Sequence, residues 1–436
     1  MNSSTSRDGG GNKSDNRRIG IGIGNGKGKS WGAALLAVGM VAGLSACSSA
    51  SSGTGDGASS KPLTILIGSS GTAETQAVQA ASDAWAKTNK TKVTVTAASD
   101  LTQQLGQGFS GGNPPDLFYM SWDQFQTYAG KKYLEPYAAG QSNEGAFYPA
   151  LTKAFTYKDE FYCVPKEFST LGLIINTDKW AAAGLTDADI PKDWASLEAA
   201  AKKLTTGDTV GLSFGAEYAR MGTFMNQAGG SLLSKDGKKV TADTPENVAG
   251  LAEVKKLASS GVLKFPSALD SGWSGEALGK GRAAMVIEGP WISGLKGDYP
   301  DLKYTVAELP EGPGGKSTFT FSNCWGIPAQ SDTASSAESL VKYLTADAQQ
   351  LKFAEAFGVI PSTKSAAATY ATTYPANAAF VKSNDYAVSP VAFAGAASVI
   401  TDFNSQLEGI ATADPQAILS SLQKNLQPAL DTANGK

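Results

Sequence analysis

The residues in this chain whose types suit chemistry are carboxylates and large aromatic rings placed at the ends of apolar runs. Tyr119, Trp122 and Asp123 close the run that begins at Asp116, and Glu288 and Trp291 bracket the breaker pair Gly289-Pro290. Groups of this kind hold a small molecule by hydrogen bonding and ring stacking. Histidine is absent from all 436 residues. That absence removes the usual general base, the commonest zinc ligand and every histidine-containing triad. No metal site and no cofactor is expected. The Gly-rich stretch from Gly24 to Ser30 looks like a phosphate loop, but its first glycine sits one residue too close to Gly28 and no strand precedes it.

The amino terminus sets the compartment. Arg17, Arg18, Lys27 and Lys29 precede an apolar stretch from Trp31 to Leu44. A basic segment, a short apolar segment and small residues after it read as an export signal over residues 1–46, and the run is too short and Gly-rich for a membrane span. Leu44-Ser45-Ala46-Cys47 resembles the lipobox of bacterial lipoproteins, in which the Cys47 thiol is lipidated and becomes the first residue. Residues 47–61 then read as a flexible, lipid-anchored tether. The expected location is the outer face of the cytoplasmic membrane, with the membrane touched through the lipid. The removed segment carries six Lys/Arg and two Asp/Glu, so a whole-chain charge of −3 becomes −7 in the mature protein. Nucleic acid is not expected as a partner. Cys163 and Cys324 are the remaining thiols, and in an oxidising compartment they either pair or stay as buried free thiols.

The scaffold that positions these groups is legible from periodicity. Leu63, Ile65 and Ile67 alternate with smaller or polar residues, Val78, Ala81 and Trp85 recur at helical spacing, and Val93, Val95 and Ala97 alternate again. Strand, helix and strand joined by short loops form the parallel crossover unit of a doubly wound sheet. Ligands bind such sheets at the carboxyl ends of strands, so the turn Gly68-Ser69-Ser70-Gly71 is either a pocket edge offering Ser70 or simply a turn. Asp116 to Met120, Leu171 to Asn176 and Ala283 to Glu288 read as further strands. Asp193 is placed to cap a helix burying Trp194, Leu197, Ala201 and Leu204; Thr244-Pro245-Glu246 opens another, and Asp414-Pro415 the last. The mature chain of 390 residues is long enough for two domains.

Four blocks give these segments a family resemblance. They are Gly112-Asn113-Pro114-Pro115-Asp116-Leu117-Phe118; Val164-Pro165 through Leu173-Ile174-Ile175-Asn176-Thr177-Asp178; Gly281-Arg282-Ala283-Ala284-Met285 with Gly289-Pro290-Trp291; and Trp325-Gly326-Ile327-Pro328 followed by Gly358-Val359-Ile360-Pro361-Ser362. In order and spacing they resemble the extracellular solute-binding proteins of ABC importers, in the sugar-binding family that includes maltose-binding protein. The resemblance implies an α/β fold of two lobes, each a doubly wound sheet flanked by helices, with a cleft between them. Residues 62–167 with 322–365 are expected to form the N-terminal lobe, and 168–321 with 366–436 the C-terminal lobe. It further implies a non-enzymatic, monomeric substrate-binding lipoprotein. Such a protein captures a sugar or short oligosaccharide by hinge closure and hands it to the transmembrane subunits of an ABC permease.

The resemblance also assigns candidate ligand-binding residues. Asp123 matches a position that binds sugar hydroxyls, the reading preferred here, with capping of the following helix as the alternative. Trp291 matches a stacking tryptophan, with core packing as the alternative, and Glu288 and Trp273 flank it. Glu217, Tyr218 and Arg220 precede Gly229-Gly230 as an acidic and aromatic pair does in the family, or else form a solvated loop. The first crossing offers Lys166, Glu167 and Ser169, where maltose-binding relatives carry Glu in place of Ser169. The return crossing offers Ser322, Asn323 and Trp325, and Phe393 is a candidate late aromatic wall. Cys163 and Cys324 depart from the family and lie near the predicted hinge strands, where a bridge would stiffen one end. Two other readings stand beside this one: a secreted carbohydrate-active enzyme using two of Asp123, Glu217 and Glu288 as acid and nucleophile or base, and a structural lipoprotein presenting the fold to a protein partner.

Overall fold

The computed structural model describes residues 61–436 apart from 142, 143 and 330. The export signal, Cys47 and the tether up to residue 60 lie outside the described residues. The described chain runs through β1 (Leu63–Ile67), β2 (Val93–Ala97), β3 (Leu117–Ser121), the hairpin β4 (Thr156–Tyr157) and β5 (Glu160–Phe161), β6 (Glu167–Thr170), β7 (Gly172–Asn176), β8 (Val210–Ser213), β9 (Leu263–Lys264), β10 (Ala283–Glu288), β11 (Tyr304–Ala307), β12 (Thr318–Phe321), β13 (Asn323–Gly326), β14 (Ile360–Pro361) and β15 (Ala387–Val388), with helices between.

Two main sheets carry the two lobes. The first has the order β13-β3-β1-β2, with β1 parallel to β2 and β3 and β13 antiparallel to β3. The second has the order β11-β7-β10-β8-β9, with β8 parallel to both β9 and β10. Its strands are apolar at nearly every position because both faces are covered. Leu173, Ile175, Met285, Ile287 and Leu212 enter one core, while Ile174, Val286 and Val210 enter the core on the other face. That two-sided burial explains why the sequence shows continuous apolar runs there and no clean alternation.

A third, smaller sheet links the two. In it β6 pairs with β12 antiparallel, Thr170 opposite Thr320 and Ser169 opposite Phe321. One residue separates β6 from β7 and one separates β12 from β13, so these two segments are the crossings that carry the chain from the first main sheet to the second and back. They meet side by side at the first lobe, where Lys166 N–H donates to the Asn323 carbonyl at 2.8 Å and Trp325 N–H to the Val164 carbonyl at 3.0 Å. Cys163 and Cys324 are bonded at that junction, with Cα atoms 5.6 Å apart and a sequence separation of 161, and both are buried.

The expected caps hold. The Asp193 carboxylate accepts from Ser196 N–H at 2.8 Å and the Asp414 carboxylate from Gln416 N–H at 3.2 Å. Trp194, expected in the core, is half-buried at its edge, packed 5.8 Å from Phe224 with its indole N–H donating to Gln227 at 2.8 Å.

Candidate functional site

Polar groups gather at the carboxyl ends of the parallel strands in both lobes, which is where a doubly wound sheet leaves a crevice. In the first lobe the turn after β1 leads into the helix Thr72–Asn89, and Glu74 in its first turn is buried at 3% exposure. The Glu74 carboxylate accepts from Ser70 N–H at 2.7 Å and Ser70 Oγ at 2.8 Å, from Tyr119 Oη at 3.0 Å, and from Lys166 Nζ at 3.1 Å. Lys166 also pairs with Glu167 and stands 4.3 Å from the centre of the Tyr119 ring. Glu167 in turn accepts from Asn323 Nδ2 at 2.8 Å and Asn323 N–H at 3.1 Å. Burial pushes the Glu74 carboxyl up, but the Lys166 ammonium and the Ser70 donors outweigh it and hold the group below the ordinary 4.5. Lys166 is the converse. Burial pulls it down, and Glu167 and Glu74 together raise it above the ordinary 10.5.

In the second lobe Glu288 ends β10 with 2% exposure. It accepts from Arg220 Nη2 at 2.6 Å, from Trp291 Nε1 at 2.9 Å and from Ser274 Oγ. Glu217, at the start of the helix Tyr218–Gln227, spends its carboxylate on Arg220 three residues later, at 2.5 Å, and caps no helical N–H. The Arg220 guanidinium lies 5.7 Å from the Trp291 ring. The Gly289-Pro290 pair takes Trp291 out of the strand ladder, so the ring cannot enter either core and remains exposed.

The structure separates the expected residues. It joins Ser70, Glu74, Lys166, Glu167 and Asn323 in one network, and Glu217, Arg220, Glu288 and Trp291 in another, with Trp273 next to Ser274. Ser169 is half-buried on β6 between these crossings. Tyr119 and Trp325 were expected to face a solute; both are core residues instead. They lie opposite one another on β3 and β13, their rings meet edge to face at 4.9 Å, and they are 2% and 1% exposed. Tyr218 is likewise 5% exposed, packed 5.1 Å from Phe319. Phe393 is half-buried against the second-lobe core. Asp123 is exposed in the first turn of the helix Trp122–Gly130 but is not its cap, a position held by Ser121. Trp122 makes no side-chain hydrogen bond to either network, and its ring lies 6.0 Å from that of Phe321.

Trp122 and Tyr218 instead border a cavity of about 820 Å³, together with Phe319 and the segments 229–237 and 386–392. None of Glu74, Lys166, Glu167, Asn323, Glu217, Arg220, Glu288 or Trp291 lines it. Sequence reasoning missed Glu74, because an acid in the first turn of a helix ordinarily faces solvent and favours the helix dipole.

A two-lobe fold with linking strands and polar strand-end clusters describes a binding protein, and comparison with known proteins agrees. Residues 80–382 match the family model described as bacterial extracellular solute-binding protein. That match spans well over half of the chain, and the protein belongs to this family. A curated relative, the diacetylchitobiose binding protein DasA of Streptomyces coelicolor, is 24% identical over 347 residues, covering 76% of this chain and 81% of that protein. Among solved structures, the cyclic alpha-maltosyl-1,6-maltose binding protein of Arthrobacter globiformis superposes with a TM-score of 0.75 at 19% identity, covering 85% of this chain and 99% of that one. An ABC substrate-binding protein of Listeria monocytogenes in complex with cycloalternan gives a TM-score of 0.72 at 23% identity, covering 86% and 99%. These likenesses establish the two-lobe architecture, and the family and neighbours are binding proteins.

Proposed function

We propose that this protein captures a carbohydrate, a sugar or short oligosaccharide, between its lobes and delivers it to the membrane subunits of an ABC permease. The two lobes comprise residues 62–167 with 322–365 and 168–321 with 366–436, and they close about the β6 and β12 crossings. Lipidated Cys47 holds the protein, as a monomer, at the outer face of the cytoplasmic membrane. The observation that carries the reading is Trp291, an indole 42% exposed yet fixed by a hydrogen bond to buried Glu288 and by the Arg220 guanidinium. A held ring left in water is suited to the C–H face of a sugar, while the carboxylates and amides around it suit hydroxyls. The relatives named for diacetylchitobiose and cyclic maltosyl ligands support the same solute class.

The test is a thermal-shift screen of the purified protein against mono-, di- and oligosaccharides, amino acids and polyamines. One carbohydrate class is expected to raise the melting temperature, and Trp291→Ala and Asp123→Ala to reduce that rise sharply. Stabilisation by amino acids or polyamines alone contradicts the solute class. An undiminished rise in both variants contradicts the placement of the site.

A further inference from the structure

The cavity of about 820 Å³ beside Trp122 shares no residue with either polar network. Both lobes wall it. Trp122, Gln126 and the helix Pro149–Ala154 stand on one side, and the helix Tyr218–Gln227 with the segments 229–237 and 386–392 on the other, Ser389 Oγ donating to the Ala150 carbonyl at 3.2 Å between them. One helix separates this cavity from Trp291. Tyr218, Gly222 and Asn226 recur every fourth residue along one face of the helix Tyr218–Gln227, and a Cβ built on Gly222 would lie 2.5 Å from the Tyr218 ring and 2.8 Å from that of Phe319, so this face is turned to the cavity. Arg220 follows Tyr218 by two positions, about 200° round the helix axis, and serves Glu217 and Glu288 instead.

The cavity joins apolar walls to a surplus of cations. Trp122, Phe319, Leu233, Pro390 and Val391 supply the walls. Its charged lining residues are three lysines, Lys153, Lys235 and Lys316, and one acid, Asp236. The Asp236 carboxylate is spent on Ser234 Oγ at 2.7 Å and on Lys238 N–H at 3.2 Å. Lys316 shares the Glu308 carboxylate with Lys382, so two cations have one anion between them. Lys153 and Lys235 are exposed and have no ion-pair partner among the described residues. Asn226 adds a donor: its Nδ2 is buried without a hydrogen-bond partner, a state that costs free energy until something accepts from it.

We propose that this cavity is a second small-molecule site, separate from the one around Trp291, and that it takes an organic anion: an apolar ring system bearing a carboxylate or a phosphate. The ring lies against the apolar walls, and the acid group meets the lysines and the Asn226 amide. The volume is that of a small-molecule pocket. A neutral molecule of the same shape fills the walls and leaves the lysines in water.

The test is titration calorimetry on the full protein with three probes, naphthoate, naphthyl phosphate and the neutral naphthalenemethanol. At least one anion is expected to bind at least about tenfold tighter than the alcohol, and to weaken as salt is added. Lys153→Gln/Lys235→Gln is expected to bring that ratio to about threefold or less with the alcohol unchanged, Trp122→Ala to weaken anion and alcohol alike, and Trp291→Ala to leave both as they are. Both lysines are exposed, and melting temperatures within about 2 °C of the parent show that the variants are folded. Anions that fail to bind, or that bind no tighter than the alcohol, overturn the anion site, as does an unchanged ratio in the lysine variant. Loss of anion binding in Trp291→Ala overturns the separation of the two sites. None of these outcomes touches the carbohydrate reading, which stands or falls by the thermal-shift screen.

Discussion

The two polar networks use the same groups to opposite ends. Around Lys166 one cation lies between two buried carboxylates, and the aromatic neighbour, Tyr119, is sealed into the core with its hydroxyl spent on Glu74. Around Arg220 one cation again lies between two carboxylates, but the aromatic neighbour, Trp291, stands in solvent. The charged groups of the first network, Glu74, Lys166 and Glu167, are buried and fasten the crossing segments at residues 163–167 and 322–325 to the first lobe. The second spends its hydrogen bonds on holding a surface open. The first network is accordingly a fastening and the second a presentation, although both lie at strand ends and both are rich in charge.

That contrast is open to attack in order of expected effect. Removing the cross-link with Cys163→Ser/Cys324→Ser opens a loop of 161 residues and is expected to cost about 4 to 5 kcal/mol of stability in the chain-entropy account. Urea unfolding of parent and variant measures it, and a loss under about 1 kcal/mol contradicts a fastened junction. Lys166→Met leaves two buried carboxylates without their cation and is expected to cost about 3 to 5 kcal/mol, in the absence of any solute. Arg220→Met is expected to cost less stability, because Glu217 is partly solvated, but to weaken carbohydrate affinity at least about tenfold through the loss of Trp291 positioning. Denaturation and calorimetry on the two variants separate fastening from presentation; equal losses of stability and affinity in both erase the distinction.

The smallest effect is a pH dependence. Glu74 is held below its ordinary 4.5, so its contribution is present above that value and is lost as acid protonates the folded carboxylate. Melting temperature is expected to fall between about pH 5 and pH 3, with a shallower slope in Glu74→Gln. Identical slopes in parent and variant contradict a stabilising charge at Glu74.

Why Trp291 was legible in the sequence and Tyr119 was misplaced follows from what surrounds each. Gly289-Pro290 is a local breaker that forces the chain out of its strand, so the exposure of the next residue is written beside it. Tyr119 stays within its strand, and the partner that buries it, Trp325 on β13, lies about two hundred residues away with no local mark. The alternation of strands and helices, the Asp193 and Asp414 caps and the Asp116 strand entry are local, and each appears in the structure as read. The network around Glu74 is not local: its cation lies 92 residues downstream. The third sheet, which links the lobes, was legible only as two crossing segments, because its outer strands β14 and β15 are two residues long and carry no periodicity.

Small-angle X-ray scattering tests the central claim, that a solute is gripped between the lobes, most directly. With the stabilising carbohydrate at saturation, the account predicts a smaller radius of gyration than for the protein alone, and no such change in Trp291→Ala at the same concentration. A radius unchanged by a sugar that demonstrably binds the parent would contradict capture by closure.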